Sequence, residues 1–265
     1  MTPTRRIVLI VLMMLGSSVT TLHAQFRSDV GAPAAPPPGV LSPDPSQWWI
    51  GPQIGASLTT HPGDFITEFC NCAFEDGSGA GIAVGIELGH KLSPLIGIAL
   101  KAMYNDFGAD YSYKIIQETW VVELNEFMPA EHERRNRIDL GYFMLHPALQ
   151  IHPFSGLYVF LGPAVGINTT GTTSYSLLMT DERYMFDPAT GNADDRTIEE
   201  DSGEIPGLES LRLDFRFGAG ADFRLGRSFV ISPEVSYNLP LTTISSDDNW
   251  KAQAIHLIAV FKFEL

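Results

Sequence analysis

The sequence predicts an all-β protein, an eight-stranded antiparallel up-and-down transmembrane β-barrel. Three observations carry that prediction. Eight segments alternate between apolar residues and small or charged ones, the period-2 signature of strands of roughly ten residues that cross a bilayer. The connections between those segments alternate short and long. The chain also opens on an export signal and closes on a strand with one wholly apolar face, AIHLIAVFKFEL.

The beginning of the chain sets the compartment. Arg5 and Arg6 precede the apolar run IVLIVLMML at 7–15, and the small and polar stretch GSSVTTLHA follows. This is the order of a secretory signal peptide, expected over 1–24 with cleavage after Ala24. The run is too short for a spanning helix, which needs about 20 apolar residues. No cysteine lies near the cleavage site, so no lipid anchor is expected there. Residues 25–47 hold six prolines and little to pack, and read as an extended linker. The barrel is expected over 48–265. A formal net charge of −14 argues against nucleic acid as a partner, and the sequence shows no polybasic patch for anionic lipid.

The eight segments follow in order. WWIGPQIGASL (48–58) puts Trp48, Ile50, Ile54 and Leu58 on one face. GAGIAVGIELG (79–89) sets Ile82, Val84, Ile86 and Leu88 against Gly81, Ala83, Gly85 and Glu87. LIGIALKAMYNDF (95–107) sets Ile96, Ile98, Leu100 and Tyr104 against Gly97, Ala99, Lys101 and Asn105. RIDLGYFMLHPALQI (137–151) alternates but slips phase near Gly141, as at a bulge. LYVFLGPAVGIN (157–168) comes fifth. LRLDFRFGAGADFRL (211–225) is the cleanest, with Leu211, Leu213, Phe215, Phe217 and Phe223 opposite Arg212, Asp214, Arg216, Asp222 and Arg224. FVISPEVSYNL (229–239) and the closing strand complete the set.

Tight turns are expected at 90–94, 152–156 and 225–228. Long connections are expected at 59–78, 108–136 and 169–210, with a shorter one near 241–249. One end of the meander thus carries turns and the other carries loops, as in outer-membrane barrels with short periplasmic turns. The apolar faces then meet lipid, and Trp48, Tyr104, Phe229, Tyr237, Trp250 and Phe263 fall where an interfacial girdle lies. A soluble barrel has the same periodicity with the apolar face inward, but leaves the export signal and loop asymmetry without a cause.

The terminal strand, with Phe261, Phe263 and Leu265 at alternate positions, resembles the signal read by the outer-membrane assembly machinery, although Leu265 stands where the usual residue is Phe. The segments RIDLGYFMLHPALQIHPF, LYVFLGPAVG and LDFRFGAGADFRLG resemble strands of the PorT-like outer-membrane β-barrel family of Bacteroidetes and relatives. That resemblance covers about residues 48–265 and rests on strand texture rather than on a chemical signature. It implies an eight-stranded barrel in the bacterial outer membrane and carries no activity with it.

Candidate site residues come from the inward faces. Eight strands leave an interior only wide enough for side chains. Glu87, Lys101, Arg212, Asp214, Arg216, Asp222, Arg224, Glu234, Lys262 and Glu264 are expected to point into it as a network of both signs, because buried charges must be paired. A proton path or narrow channel is the competing use of the same residues. Cys70 and Cys72 form a possible disulfide on the first long loop, favoured by export and strained by the small ring. The acid-rich stretch 181–204 offers oxygen ligands, but its spacing matches no calcium loop.

A lipid-modifying enzyme would need nucleophile and base in contact. His256 is the best base, but Ser174 or Ser176 could approach it only by chance of loop folding, while His90 and His152 sit in turns; no Gly-x-Ser-x-Gly motif occurs. The expected function is therefore non-enzymatic: a structural, anchoring or interaction role in the cell envelope with acidic extracellular loops. The alternatives are an outer-membrane lipid-modifying enzyme and a small-solute binder or narrow channel. No cofactor, metal or catalytic residue is expected. The expected partners are outer-membrane lipid, the assembly machinery and envelope proteins, around a monomer.

Overall fold

The computed structural model describes residues 48–63, 65–67, 72–74, 76–121, 126–179, 197–246 and 249–265. The expected signal peptide and linker, Cys70, the side chain of Cys72 and much of the acidic stretch at 181–204 lie outside what is described. The regular structure of the described residues is all β. In chain order the strands are β1 (Trp48–His61), β2 (Phe65–Thr67), β3 (Cys72–Phe74), β4 (Gly77–Lys91), β5 (Ile96–Asp106), β6 (Ala109–Val121), β7 (Glu126–Phe154), β8 (Leu157–Met179), β9 (Thr197–Glu204), β10 (Leu211–Ala221), β11 (Phe223–Arg224), β12 (Phe229–Pro240) and β13 (Gln253–Glu264).

Eight of them close a ring, each antiparallel to the next: β1, β4, β5, β7, β8, β10, β12 and β13. The ring shuts where β1 meets β13, from Trp49 opposite Glu264 to Thr60 opposite Gln253. Closure leaves no unpaired edge in the lipid, where an unsatisfied backbone N–H or C=O costs several kcal/mol. All eight expected strands form. The long connections, read as loops, contain further pairing. β2 and β3 make a small hairpin. β6 continues β5 past a break at Phe107–Gly108 and pairs with the first half of β7. β9 pairs with the far end of β8.

Burial alternates as lipid and lumen require. On β1, Ile50, Ile54 and Leu58 are exposed while Trp49, Gln53 and Ser57 are buried; on β4, Val84, Ile86 and Leu88 are exposed while Ala83 and Glu87 are buried. Similar rows on the other strands form an apolar belt around the ring, and that much contiguous exposed apolar surface marks contact with a membrane. Trp48 and Phe263 stand at its periplasmic edge, and Tyr104 and Tyr237 at its outer edge. Trp250 does not join the girdle, because it is fully buried at the outer end of the lumen.

The expected phase slip near Gly141 has a different cause. β7 keeps one phase throughout, with even-numbered residues inward from Ala130 to Gln150. What changes at Gly141 is polarity. On one side of it, Phe143, Leu145 and Leu149 face out and His146 and Gln150 face in. On the other, Asp139, Arg137 and Arg135 face out and Ile138 and Leu140 face in. The strand leaves lipid there, and the apolar side turns from the outer face to the core. The irregularity of register lies on β8: Gly141 is opposite Thr170 and Tyr142 opposite Asn168, so Thr169 is an extra residue. That bulge moves the inward set of β8 from even positions (Tyr158, Phe160, Ala164) to odd ones (Thr173, Tyr175, Met179).

β7 runs 29 residues and β8 runs 23, against the roughly 10 that a tilted strand needs to cross a membrane. The surplus of both, with β6 and β9, forms a four-stranded sheet outside the lipid. At the opposite end the chain turns tightly. Gly156 (φ 81°) and Gly226 (φ 144°) occupy left-handed backbone positions in two of these turns, conformations that a side chain disfavours.

Candidate functional site in the barrel lumen

The inward faces build three layers. The first starts from the periplasmic mouth. Lys101 on β5 is fully buried between two carboxylates, 2.9 Å from Glu87 Oε2 on β4 and 2.5 Å from Glu234 Oε2 on β12. Neutral donors complete both acids. Trp49 Nε1–H donates to Glu87 Oε1 at 2.8 Å, and the Tyr158 hydroxyl donates to Glu234 Oε1 at 2.7 Å. The Lys262 ammonium donates to the Tyr158 oxygen at 3.3 Å and pairs with Asp222 Oδ1 at 2.9 Å. This chain spans the lumen from β4 to β13, and a cavity of about 490 Å³ opens below it, lined by residues including Trp49, Lys91, His152 and Lys262.

The middle layer centres on Arg216 of β10, also fully buried. Its guanidinium donates to Ser236 Oγ at 2.9 and 3.1 Å and to Met103 Sδ at 2.7 Å across the lumen. Among the described residues no carboxylate pairs with it directly. Asn105, His146 and His256 are buried on neighbouring strands with no hydrogen-bond partner among the described residues.

The outer layer is an ion pair under an aromatic lid. Arg212 lies 2.9 Å from Asp214, donates to the Ala252 carbonyl, and stacks its guanidinium 4.2 Å from the Phe107 ring centre. Asn238 donates to Asp214 at 2.9 Å. Above it, Trp250 Nε1–H donates to the Tyr111 oxygen at 2.8 Å. Tyr111 in turn lies 2.9 Å from His61 Nδ1, and His61 Nε2 lies 2.7 Å from the Phe107 carbonyl. These bonds are all satisfied by a neutral imidazole protonated on Nε2. Phe74, Phe107, Tyr175, Ile205 and Ile244 pack around them and close the lumen on the outer side.

The ten inward charges named from the sequence therefore separate. Glu87, Lys101, Glu234, Arg212, Asp214, Arg216 and Lys262 are buried. Asp222 is half-buried at the mouth. Arg224 and Glu264 pair with each other across β11 and β13, but not in the closed interior: the Arg224 side chain is 52% exposed. The reason is position, since both stand at the strand ends, where the lumen has opened to water. Phe261, Phe263 and Leu265 lie on the outward face of the last strand. His256 points inward as expected, and Ser174 and Ser176 sit beyond the bulge on the extension.

Sequence reasoning missed Trp49, Tyr158 and the His61–Tyr111–Trp250 chain. Trp49 and Tyr158 carried a signal, being the polar-tipped aromatics on the lumen phase of their strands. The last three had none, because His61 and Tyr111 fall in stretches read as loop and all three meet only in space.

No family model matches the chain, and no curated protein matches it. Among solved structures it is similar to Ail, the attachment invasion locus protein of Yersinia pestis, in complex with the heparin analogue sucrose octasulfate (12% identity, 82% of this chain and 99% of that one, TM-score 0.32). It is also similar to Neisserial surface protein A (10%, 82% and 97%, TM-score 0.34) and to the outer membrane protease OmpT of Escherichia coli (10%, 84% and 98%, TM-score 0.28). At such scores no activity or ligand passes from those proteins to this chain. The closed ring, the apolar belt and the separation of tight turns from long extensions are this chain's own features, and they make it a β-barrel of the bacterial outer membrane.

Two predictions follow from the layers. Lys101→Met leaves Glu87 and Glu234 buried without their cation, a change that costs about 3–5 kcal/mol. The folded, heat-modifiable band on gels should then convert at a markedly lower temperature, whereas Arg224→Ala at the exposed rim pair should cost less than about 1 kcal/mol. His61 gives the second. Desolvation lowers its pKa from 6.5 to about 4, with the Arg212 charge as a smaller cause. A folded pKa below the unfolded one means that the unfolded chain takes up the proton first as pH falls. The contribution is complete above pH 6.5 and is lost as pH drops towards 4, with an upper limit of about 3 kcal/mol. Urea midpoints in micelles should fall across that window, and His61→Gln should flatten the fall.

Proposed function

We propose that this chain is a non-enzymatic, non-conducting outer-membrane barrel that anchors an interaction surface outside the cell. The observation that carries the reading is the continuation of β6, β7, β8 and β9 beyond the lipid as one hydrogen-bonded sheet above a closed lumen. Its β6–β7 hairpin presents Ile116 (78% exposed) and Phe127 (64% exposed) on one outward face. Apolar side chains so far from the lipid belt suit contact with another envelope component. The aromatic lid and the cross-lumen ion pairs support the absence of conduction, since a pore needs a continuous polar path.

Membership of the PorT-like family is part of the same proposal and is supported by the strand textures of β7, β8 and β10. The working partners are outer-membrane lipid, the assembly machinery acting on Phe261, Phe263 and Leu265, and an envelope protein at the hairpin; the barrel itself acts as a monomer, without nucleic acid. A second reading, small-solute binding from the periplasm, draws on the mouth cavity of about 490 Å³ and its Lys91 and His152 side chains. The enzyme reading draws less support, because His256 has no hydrogen-bonded hydroxyl or carboxylate among the described residues.

Planar-bilayer recording and crosslinking in native envelopes test the proposal together. The expected result is no stepwise conductance, and an envelope crosslink from a photoreactive residue at position 127 that is lost when Ile116 is changed to Asp. Stepwise conductance, or crosslinks indifferent to that change, would overturn it.

A further inference from the structure

The four-stranded sheet outside the lipid has two edges, β6 and β9, and the chain treats them differently. β9, TIEEDSGE, carries four acids in eight residues, and charge of this kind along an edge discourages a further strand. β6 is the opposite. Its run YSYKIIQE at 111–118 is rich in Tyr and Ile, holds neither proline nor glycine, and has one cation and one acid. An edge of that composition is a template for pairing.

The pairing of β6 is one-sided. β7 runs along one side of it, from Ala109 opposite Ile138 to Val121 opposite Glu126. On the far side, the bridge from Ser78 to Asp110 is the only rung to another strand among the described residues. In an antiparallel pair alternate residues direct their N–H and C=O to the partner, and the rest direct theirs away. Past Asp110, then, every second residue of β6 directs its backbone groups away from β7. An extended backbone is the structure that answers such a row rung by rung.

The side chains specify the strand further. The inner face of β6 is occupied, with Tyr111 and Tyr113 packed edge-on against Phe74 of β3. The outer face is open, and Ser112, Lys114, Ile116 and Glu118 are exposed on it. Lys114 has Glu131 of β7 at 2.7 Å. Glu118 stands opposite Pro129, and among the described residues it has no ion pair. A strand beside β6 with an apolar residue opposite Ile116 and a cation opposite Glu118 covers the first and pairs the second.

A second copy of this chain does not meet that description. β6 runs away from the lipid in every copy, so two copies in one membrane, related by a twofold axis along its normal, bring their edges together in the same direction. Lys114 then lies beside Lys114 and Glu118 beside Glu118, and like charges side by side are unfavourable.

We propose that the β6 edge is a strand-addition site: an extended segment of another envelope protein pairs antiparallel with 112–118, with an apolar residue opposite Ile116 and a Lys or Arg opposite Glu118. This mode of contact rests on the display reading and deepens it. The partner is held by backbone hydrogen bonds that continue the sheet, and not by the Ile116–Phe127 face alone.

The test is site-specific photocrosslinking of the full-length protein in native envelopes. The photoreactive residue is placed singly at 112, 114, 116, 118 and 127, and the crosslinked residue of the partner is located by mass spectrometry. Strand addition predicts a single partner segment along 112–118, whose crosslinked residue number falls by about two for each step of two along β6. Glu118→Lys, an exposed change that leaves the heat-modifiable band as it is, should lower the crosslink yield from position 116 at least about threefold, and Glu118→Gln should lower it less. Crosslinks from 127 with none along 112–118, or with partner residues in no descending order, would overturn strand addition and leave the display reading standing. An unchanged yield in Glu118→Lys would overturn the charge assigned to the partner. Crosslinks to a second copy of this chain would overturn the occupant, and crosslinks from none of these positions would overturn both readings.

Discussion

Everything in this structure depends on one constraint: the barrel wall has lipid on one side and a lumen too narrow for bulk water on the other. Lipid leaves backbone groups no outside partner, so the eight strands must close on themselves. The narrow lumen leaves charges no water, so each needs a partner from another strand. Lys101 shows the second requirement most plainly. Its strand lies opposite β12 in the ring, yet its ammonium holds Glu234 directly and Glu87 beside it, and Trp49 and Tyr158 supply the remaining donors. A pair of this kind need not add net stability over an apolar filling. What it does enforce is a specific stagger of strands around the ring, because only one register brings these five side chains together.

The same constraint explains the outer half of the molecule. Once the strands leave lipid, water takes the outer face, and the apolar residues belong inside. Ile138, Leu140, Phe107, Tyr111 and Trp250 then form an ordinary core where, a few residues lower, the lumen is ionic. That core seals the lumen and gives the long β7 and β8 strands a base to stand on. A closed lumen and a projecting sheet are two consequences of one inversion.

Much of the fold was legible in the sequence because lipid and lumen impose opposite demands on alternate residues. Val84, Ile86 and Leu88 against Gly85 and Glu87 allow only one reading once the export signal is accepted. Lys101, Arg216 and Glu234 were legible for the same reason, as charges on the lumen phase. The outer half was not. In β6, TyrSerTyrLys at 111–114 has no clean period, since one face packs under a lid and the other carries mixed charge in water. The inversion at Gly141 imitated a slip of register, and the true bulge at Thr169 left no mark among neighbouring threonines and glycine. His61, Tyr111 and Trp250 come from three distant stretches, and no spacing rule brings them together.

The central claim is that one continuous outward face of β7 passes from lipid to water at Gly141. Spin labels placed singly at odd positions from 131 to 151, in barrels reconstituted in lipid bilayers, measure it directly through accessibility to oxygen and to a water-soluble nickel complex. Labels at 143, 145 and 149 should favour oxygen, and labels at 135, 137 and 139 should favour nickel, with the crossover at 141. Oxygen preference continuing to 135, or nickel preference at 145 and 149, would contradict the account, since the apolar belt would then not be the surface that meets lipid.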